Sequence, residues 1–186
     1  HRMVLWVTRA VNSVLADWAL KRSGMTAVSM AWRCGLRRGL VLAVLWLGTI
    51  FSAAAQDDPV ADTQLIGELM AFHGSQAIVN VMTTHCYETT GLDSAYKAAA
   101  DNWYLRNIGF LDLADRVIAR LGGGAEDQRR AAETYGGSQI MTAYNQADNK
   151  DNFCRAFLGQ VESGALDIDQ QLPDPLKRAQ EISASS

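Results

Sequence analysis

Proline is scarce in this 186-residue chain, and its placement leaves a long stretch open to helix. The three prolines are Pro59, Pro173 and Pro175, so residues 60–172 contain none. The same stretch lacks the apolar–polar alternation of a half-buried strand and has few runs of β-branched residues. Apolar residues recur instead at steps of three and four. We therefore predict an all-α fold, a single antiparallel bundle of four to five helices with one disulfide.

Residues 30–55 have the pattern of a secretory signal peptide. Arginines precede the apolar run 40–51, and two alanines follow it at the spacing of a cleavage site: Arg33, Arg37, Arg38, Ala53 and Ala55. The 16 residues of 40–55 fall short of the roughly 20 that span a bilayer. We predict a protein exported to the periplasm, or else secreted, with no stable membrane anchor after cleavage. An uncleaved anchor is the alternative, and the paired arginines leave the twin-arginine route open.

The signal peptide sets the other boundaries. Residues 1–29 precede its Met30 and are interpreted as a non-native or mis-called upstream segment, with an amphipathic extension as the alternative. Residues 56–61 are predicted to be a short linker and residues 62–182 a helical domain. Residues 183–186, Ser-Ala-Ser-Ser, are predicted to be a disordered tail.

Cleavage would change both the charge and the cysteine count. The whole chain carries −3, whereas residues 1–55 carry +6 and residues 56–186 carry −9. An acidic product argues against a nucleic-acid partner. Of the three cysteines, Cys34 leaves with the signal peptide, and we predict that Cys86 and Cys154 pair in an oxidising compartment. Two buried free thiols are the alternative.

Periodicity predicts four main helices. The first starts near Asp62, with a kink or break at residues 73–75, and the second runs from Ser94 to Leu121, where residues 122–124, three glycines, stop it. The third runs from about 125 to 145 and contains Gly136-Gly137, which must mark a kink, a break or close packing. The fourth starts near Asp148 and ends at Gly164, and residues 175–182 form a short final helix.

Two Met-x-x-His pairs are candidate metal ligands: Met70, His73, Met82 and His85. Thioether and imidazole ligands suit copper, which gives a periplasmic copper carrier as one alternative function. The pairs lie on helix faces about 120° apart, so one shared site requires a kink at Gly74. Core packing of the methionines is the simpler interpretation. The chain lacks the C-x-x-C-H motif of covalent haem, non-covalent haem through a single histidine stays open, and no other cofactor is predicted.

Trp103, Tyr104 and Arg106 form the other candidate site. An aromatic group beside an arginine on a surface is typical of a binding hot spot. The opposing interpretation places Trp103 in the core, with Arg106 capping carbonyls or pairing with an acid. The acidic run 148–152 resembles a calcium loop only superficially, because Lys150 takes a ligand position.

No convincing catalytic set is visible, although an unrecognised hydrolase using Asp101, Asp112 or Asp115 remains an alternative. The sequence thus favours a small exported helical protein that binds an unidentified protein or small ligand and is not an enzyme. No feature of the sequence specifies its oligomeric state.

Overall fold

The computed structural model describes residues 59–124 and 126–185, with only the backbone of Pro59. The signal peptide at 30–55, the upstream segment 1–29, Cys34 and most of the linker therefore lie outside the described residues. The described part is helical and contains no strand, so the all-α prediction is confirmed. None of its helices is both long and apolar enough to cross a bilayer.

Six helices follow one another in the described chain. Four long ones form an up-down-up-down bundle. Two short ones close one end of it, which we call the lower end. Their bounds are α1 Pro59–Thr89, α2 Ser94–Arg120, α3 Glu126–Gln146, α4 Lys150–Glu162, α5 Ile168–Gln171 and α6 Pro173–Ala184.

Helix α1 is the central helix, and it is continuous. It runs unbroken through residues 73–75, where we expected a kink or break, and residues 71–75 are all buried. It also begins three residues before Asp62, because Pro59 suits the first turn of a helix, where its missing N–H costs nothing. Residues 59–61 therefore belong to α1 and not to a linker.

Close packing explains the glycines of α1 and α3. A Cβ added at Gly136 would lie 2.4 Å from the carbonyl oxygen of Gly74, and one at Gly74 would lie 3.3 Å from that of Ala132. Gly137 is similarly close to the side chain of Val81. The paired glycines therefore allow the two helix backbones to touch without breaking either helix. Of the kink, break or close packing expected at Gly136-Gly137, the structure shows close packing.

Helix α2 has the bounds that its periodicity predicts, to within one residue. The Asp93 carboxylate accepts a hydrogen bond from the amide of Ala95 and caps the first turn. At the other end, Gly122 and Gly124 have φ values of 79° and 107°, which the glycines tolerate without strain. In the turn between α1 and α2, Leu92 follows Gly91 with a φ of 63°, a left-handed conformation that is uncommon for leucine.

The disulfide between Cys86 and Cys154 joins α1 to α4, as predicted, with a Cα–Cα distance of 5.6 Å. Helix α4 begins at Lys150, two residues later than expected, because Asn149 and not Asp148 caps it by accepting a hydrogen bond from the amide of Asn152. Gly164 follows the helix with a φ of 75°. The last helix reaches Ala184, so its C-terminal end lies two residues beyond the predicted Ile182.

The core lies where the four long helices meet. The largest fully buried side chains are Trp103, Phe72, Phe153, Phe157, Leu69, Met82, Ile118 and Ile168, with three valines between them. Helix α6 covers the lower end through Leu176 and Ala179, and Arg178 pairs with Glu68 of α1. This arrangement leaves one long side of α2 facing solvent.

Candidate functional site

The predicted cluster of Trp103, Tyr104 and Arg106 divides into two parts. Trp103 is fully buried, and its indole nitrogen donates to the carbonyl of Leu166 at 2.9 Å. Arg106 pairs with Asp167 through two parallel bonds, Nε to Oδ2 at 2.8 Å and Nη2 to Oδ1 at 2.9 Å. Tyr104 is 40% exposed, and the Arg106 side chain is 37% exposed although it pairs with Asp167. The three side chains therefore do not share one binding surface.

Asn107 completes the network that anchors the middle of α2. Its side-chain nitrogen donates to Asp167 at 3.1 Å, and its side-chain oxygen accepts from the amide of Ile168 at 2.8 Å. Arg106 also donates to the carbonyl of Val161. We call Trp103, Arg106, Asn107 and Asp167 the clasp, because together they fix the segment between α4 and α5 onto α2.

The ion pair within the clasp also shifts a pKa. The hydrogen bond that Arg106 donates to Asp167 raises the pKa of its guanidinium, against a smaller opposing effect of burial. Bidentate arginine–carboxylate pairs are geometrically specific as well as charge-assisted. The backbone of residues 103–107 is therefore held rigidly, and whatever it presents to solvent is held in place with it.

The residue that this backbone presents to solvent is Leu105. Its side chain is 70% exposed, and Tyr104 precedes it in the chain. The described chain has three other large exposed apolar residues, and none is next to another in sequence: Val60, Val81 and Leu92. Leu105 and Val60 are the two most exposed of these side chains, each at 70%, and of the two only Leu105 has a second exposed large apolar residue next to it in the chain.

The residues around Leu105 form a continuous solvent-facing strip. On a helix, positions three, four and seven apart share one side. Five exposed members of this side are Ala98, Asp101, Leu105, Gly109 and Asp112. We call these five residues the α2 face. A Cβ added at Gly109 would meet nothing within 4 Å, so the strip is open directly beside Leu105.

The candidate copper ligands are separated by the unbroken helix. Met70 and Met82 are buried in the core, and His73 and His85 lie about 18 Å apart along α1, at 1.5 Å per residue. Among the residues that the structure describes, no group of three or more His, Cys, Asp or Glu side chains could hold a metal ion.

The two histidines contact different neighbouring helices. The Nε2 atom of His73 lies 2.7 Å from a carboxylate oxygen of Asp115, which ties α1 to α2. The imidazole of His85 packs edge-on against Tyr144 of α3, with ring centroids 4.4 Å apart. Both imidazoles thus lie where helices meet, and Asp115, one of the three candidate hydrolase carboxylates, is hydrogen-bonded to one of them.

Lys150 explains the run that resembles a calcium loop. Its ammonium group donates to the carbonyls of Tyr144, Asn145 and Ala147 at 2.7 to 2.9 Å. These carbonyls belong to the end of α3 and the turn after it, where carbonyl groups lack helical partners. The lysine side chain itself supplies the positive charge there and caps α3.

A shallow cleft of about 540 Å³ lies along the outer side of α3. Its described lining consists of Asp127, Arg130, Ala131, Thr134, Tyr135 and Ser138. All of these residues come from one helix. Asp101 and Asp112, the other two candidate hydrolase residues, lie instead on the α2 face.

Comparison with known proteins gives no further guide: no family model, curated protein or solved structure matches this chain. Leu105 and Asp167 are not among the site residues that the sequence predicts. Leu105 could have been found, because it follows Trp103 by two positions and therefore lies about 200° around the helix from a core residue. Asp167 could not, since nothing local connects it to a residue 61 positions earlier.

Proposed function

We propose that this protein is exported and acts as a non-enzymatic binding protein, with the α2 face as its contact surface. The observation that carries the proposal is Leu105, an exposed leucine held outward on a helix that the clasp fixes from behind. Exposing such a side chain gains nothing for the fold, since burial of a leucine contributes about 1.5–3 kcal/mol. A contact with another molecule would recover that contribution.

Rigidity supports this use of the surface. Binding normally loses free energy because side chains and loops must become ordered. Around Leu105 that ordering is already present, because Arg106 and Asn107 are bonded to the segment after α4. Tyr104 adds a second large side chain with few rotatable bonds, a residue type enriched at binding hot spots.

The disulfide supports export. Cys86 and Cys154 are at bonding distance, and such bonds persist in oxidising compartments. The signal-peptide pattern of residues 30–55 supports the same destination. A periplasmic location is the form of export that we propose.

A non-enzymatic role is supported by what the reactive side chains already do. His73 bonds Asp115 across two helices, Arg106 bonds Asp167, and Lys150 caps α3. Each of these groups thereby contributes to holding helices together.

Selection of ligands against the folded protein tests the proposal. The full chain would be exported by a bacterial host, purified in its oxidised form and used to select peptides from a random library displayed on phage. Selected peptides are expected to lose at least tenfold in affinity for the variant Leu105→Asp. This result is expected because a buried, unpaired carboxylate at the centre of the contact is costly.

The matched control is Val60→Asp, which places the same charge at an equally exposed apolar position on α1. It should leave the affinity within twofold. Circular dichroism should show the same helicity for both variants. A selection that enriches only peptides indifferent to Leu105→Asp would contradict the proposal.

A further inference from the structure

The exposed side of α2 has the spacing of a coiled-coil seam. Its solvent-facing residues follow steps of four and three along the helix: Ala98, Asn102, Leu105, Gly109, Asp112 and Arg116. Residues at such steps share one side of any helix, and a second helix laid along that side contacts them in turn. A second helix is therefore a shape that fits this side of α2.

Leu105 and Gly109 give this stripe a knob and a hole. The leucine projects from the surface, and the glycine one turn later leaves open space where a side chain would stand. A partner helix can place a large apolar residue over Gly109 while Leu105 packs between its side chains. Packing of knobs into holes is what fixes the register of paired helices.

The two charged residues of the α2 face are both aspartates. Asp101 precedes Leu105 by one turn, and Asp112 follows it by two, about 16 Å from Asp101 along the axis. Among the described residues, neither carboxylate takes part in an ion pair. The nearby cation Lys97 lies over the ring of Tyr87, 4.0 Å from its centroid, and Arg116 ends the stripe beyond Asp112.

We infer that the partner of the α2 face is a cationic amphipathic helix: a protein segment that packs apolar side chains on Leu105 and Gly109 and brings Lys or Arg to Asp101 and Asp112. The inference rests on the proposed function and adds the chemistry of the partner. Complementary charges on the two sides of an apolar seam set partner choice and orientation.

The same charges disfavour a second copy of this chain. An antiparallel pair that seats Leu105 over Gly109 of the second copy would bring Asp101 level with Asp112 of that copy, to within about one residue. Both acids then lie on the same side of the seam, and juxtaposed like charges weaken association. Self-association is therefore the competing outcome that the experiment must detect.

The test is the Lys and Arg content of the selected peptides. The random library carries no bias, so Leu105-dependent peptides should be enriched in Lys and Arg flanking apolar residues. The double variant Asp101→Asn/Asp112→Asn should weaken them at least tenfold. The matched control Glu162→Gln/Glu181→Gln removes the same net charge from exposed positions on α4 and α6 and should change the affinity less than twofold.

The outcomes separate this inference from the proposed function. Leu105-dependent peptides that are neutral or acidic, or indifferent to the aspartate variants, would overturn the inference and leave the binding face intact. A Leu105-dependent dimer in sedimentation would also overturn it, by making a second copy the partner. If no ligand depends on Leu105, the proposed function fails, and the inference fails with it.

Discussion

Gly136 of α3 lies so close to Gly74 of α1 that a single added methyl group would occupy the position of a backbone atom. The Cβ of an alanine at 136 would be 2.4 Å from the Gly74 carbonyl oxygen, and a backbone oxygen inside a helix cannot move aside independently. The two helices are therefore in direct backbone contact, and this contact fixes α3 to the central helix.

The variant Gly136→Ala should lower the free energy of unfolding by at least about 2 kcal/mol, since overpacking forces the helices apart. Denaturation by urea, followed by circular dichroism, measures the change. Gly109→Ala is the control, because the same substitution in an open part of α2 should stabilise the protein by about 1 kcal/mol through helix propensity. Equal effects of the two variants would contradict close packing.

Loss of the clasp should destabilise the protein more than loss of a surface ion pair. Asp167→Ala leaves the donors of Arg106 and Asn107 without their acceptor, and we expect a loss of about 2–3 kcal/mol in the same denaturation experiment. Glu133→Ala, which removes a 3.8 Å pair with Arg129, should cost less than about 0.5 kcal/mol. A clasp variant as stable as this control would show that the network contributes nothing.

The disulfide should contribute through the unfolded chain. Its loop of about 69 residues corresponds to roughly 4 kcal/mol on the chain-entropy model. Cys86→Ala/Cys154→Ala should therefore unfold at a clearly lower urea concentration than the oxidised protein. Mass spectrometry of the non-reduced protein checks the premise, and two free thiols in the exported product would refute it.

Tyr96 should make the protein less stable at alkaline pH. Burial raises the pKa of its hydroxyl above the ordinary 10.0, so at high pH the folded protein retains a proton that the unfolded chain has lost. Deprotonation then favours the unfolded chain, and the free energy of unfolding falls as the pH rises above 10. Urea midpoints measured from pH 9 to 11 should fall less for Tyr96→Phe than for the unaltered protein.

The elements of this fold follow from local sequence signals where those signals are unambiguous. The bounds of α2 are predictable because Asp93 can cap it and three glycines end it. The break considered at Gly74 does not occur. A glycine that permits close packing has the same local signature as one that interrupts a helix. What distinguishes them is Gly136, about 60 residues later, and no local pattern records that pairing.

The candidate site also combines positions that follow from the sequence pattern with contacts that do not. The burial of Trp103 is consistent with its periodicity, and the same periodicity places Leu105 on the opposite side. The role of Arg106 depends on Asp167, which the chain brings back only after two further helices. Side chains whose partners are distant in sequence are therefore the part that pattern alone cannot supply.

The most direct test of the binding face is to observe where a ligand sits. Amide chemical shifts of the ¹⁵N-labelled, exported protein would be recorded during titration with the most strongly enriched Leu105-dependent peptide. The account predicts that the largest changes occur at Ala98, Asp101, Leu105, Gly109 and Asp112. Changes centred instead on the α3 cleft, at Thr134 and Ser138, would contradict it.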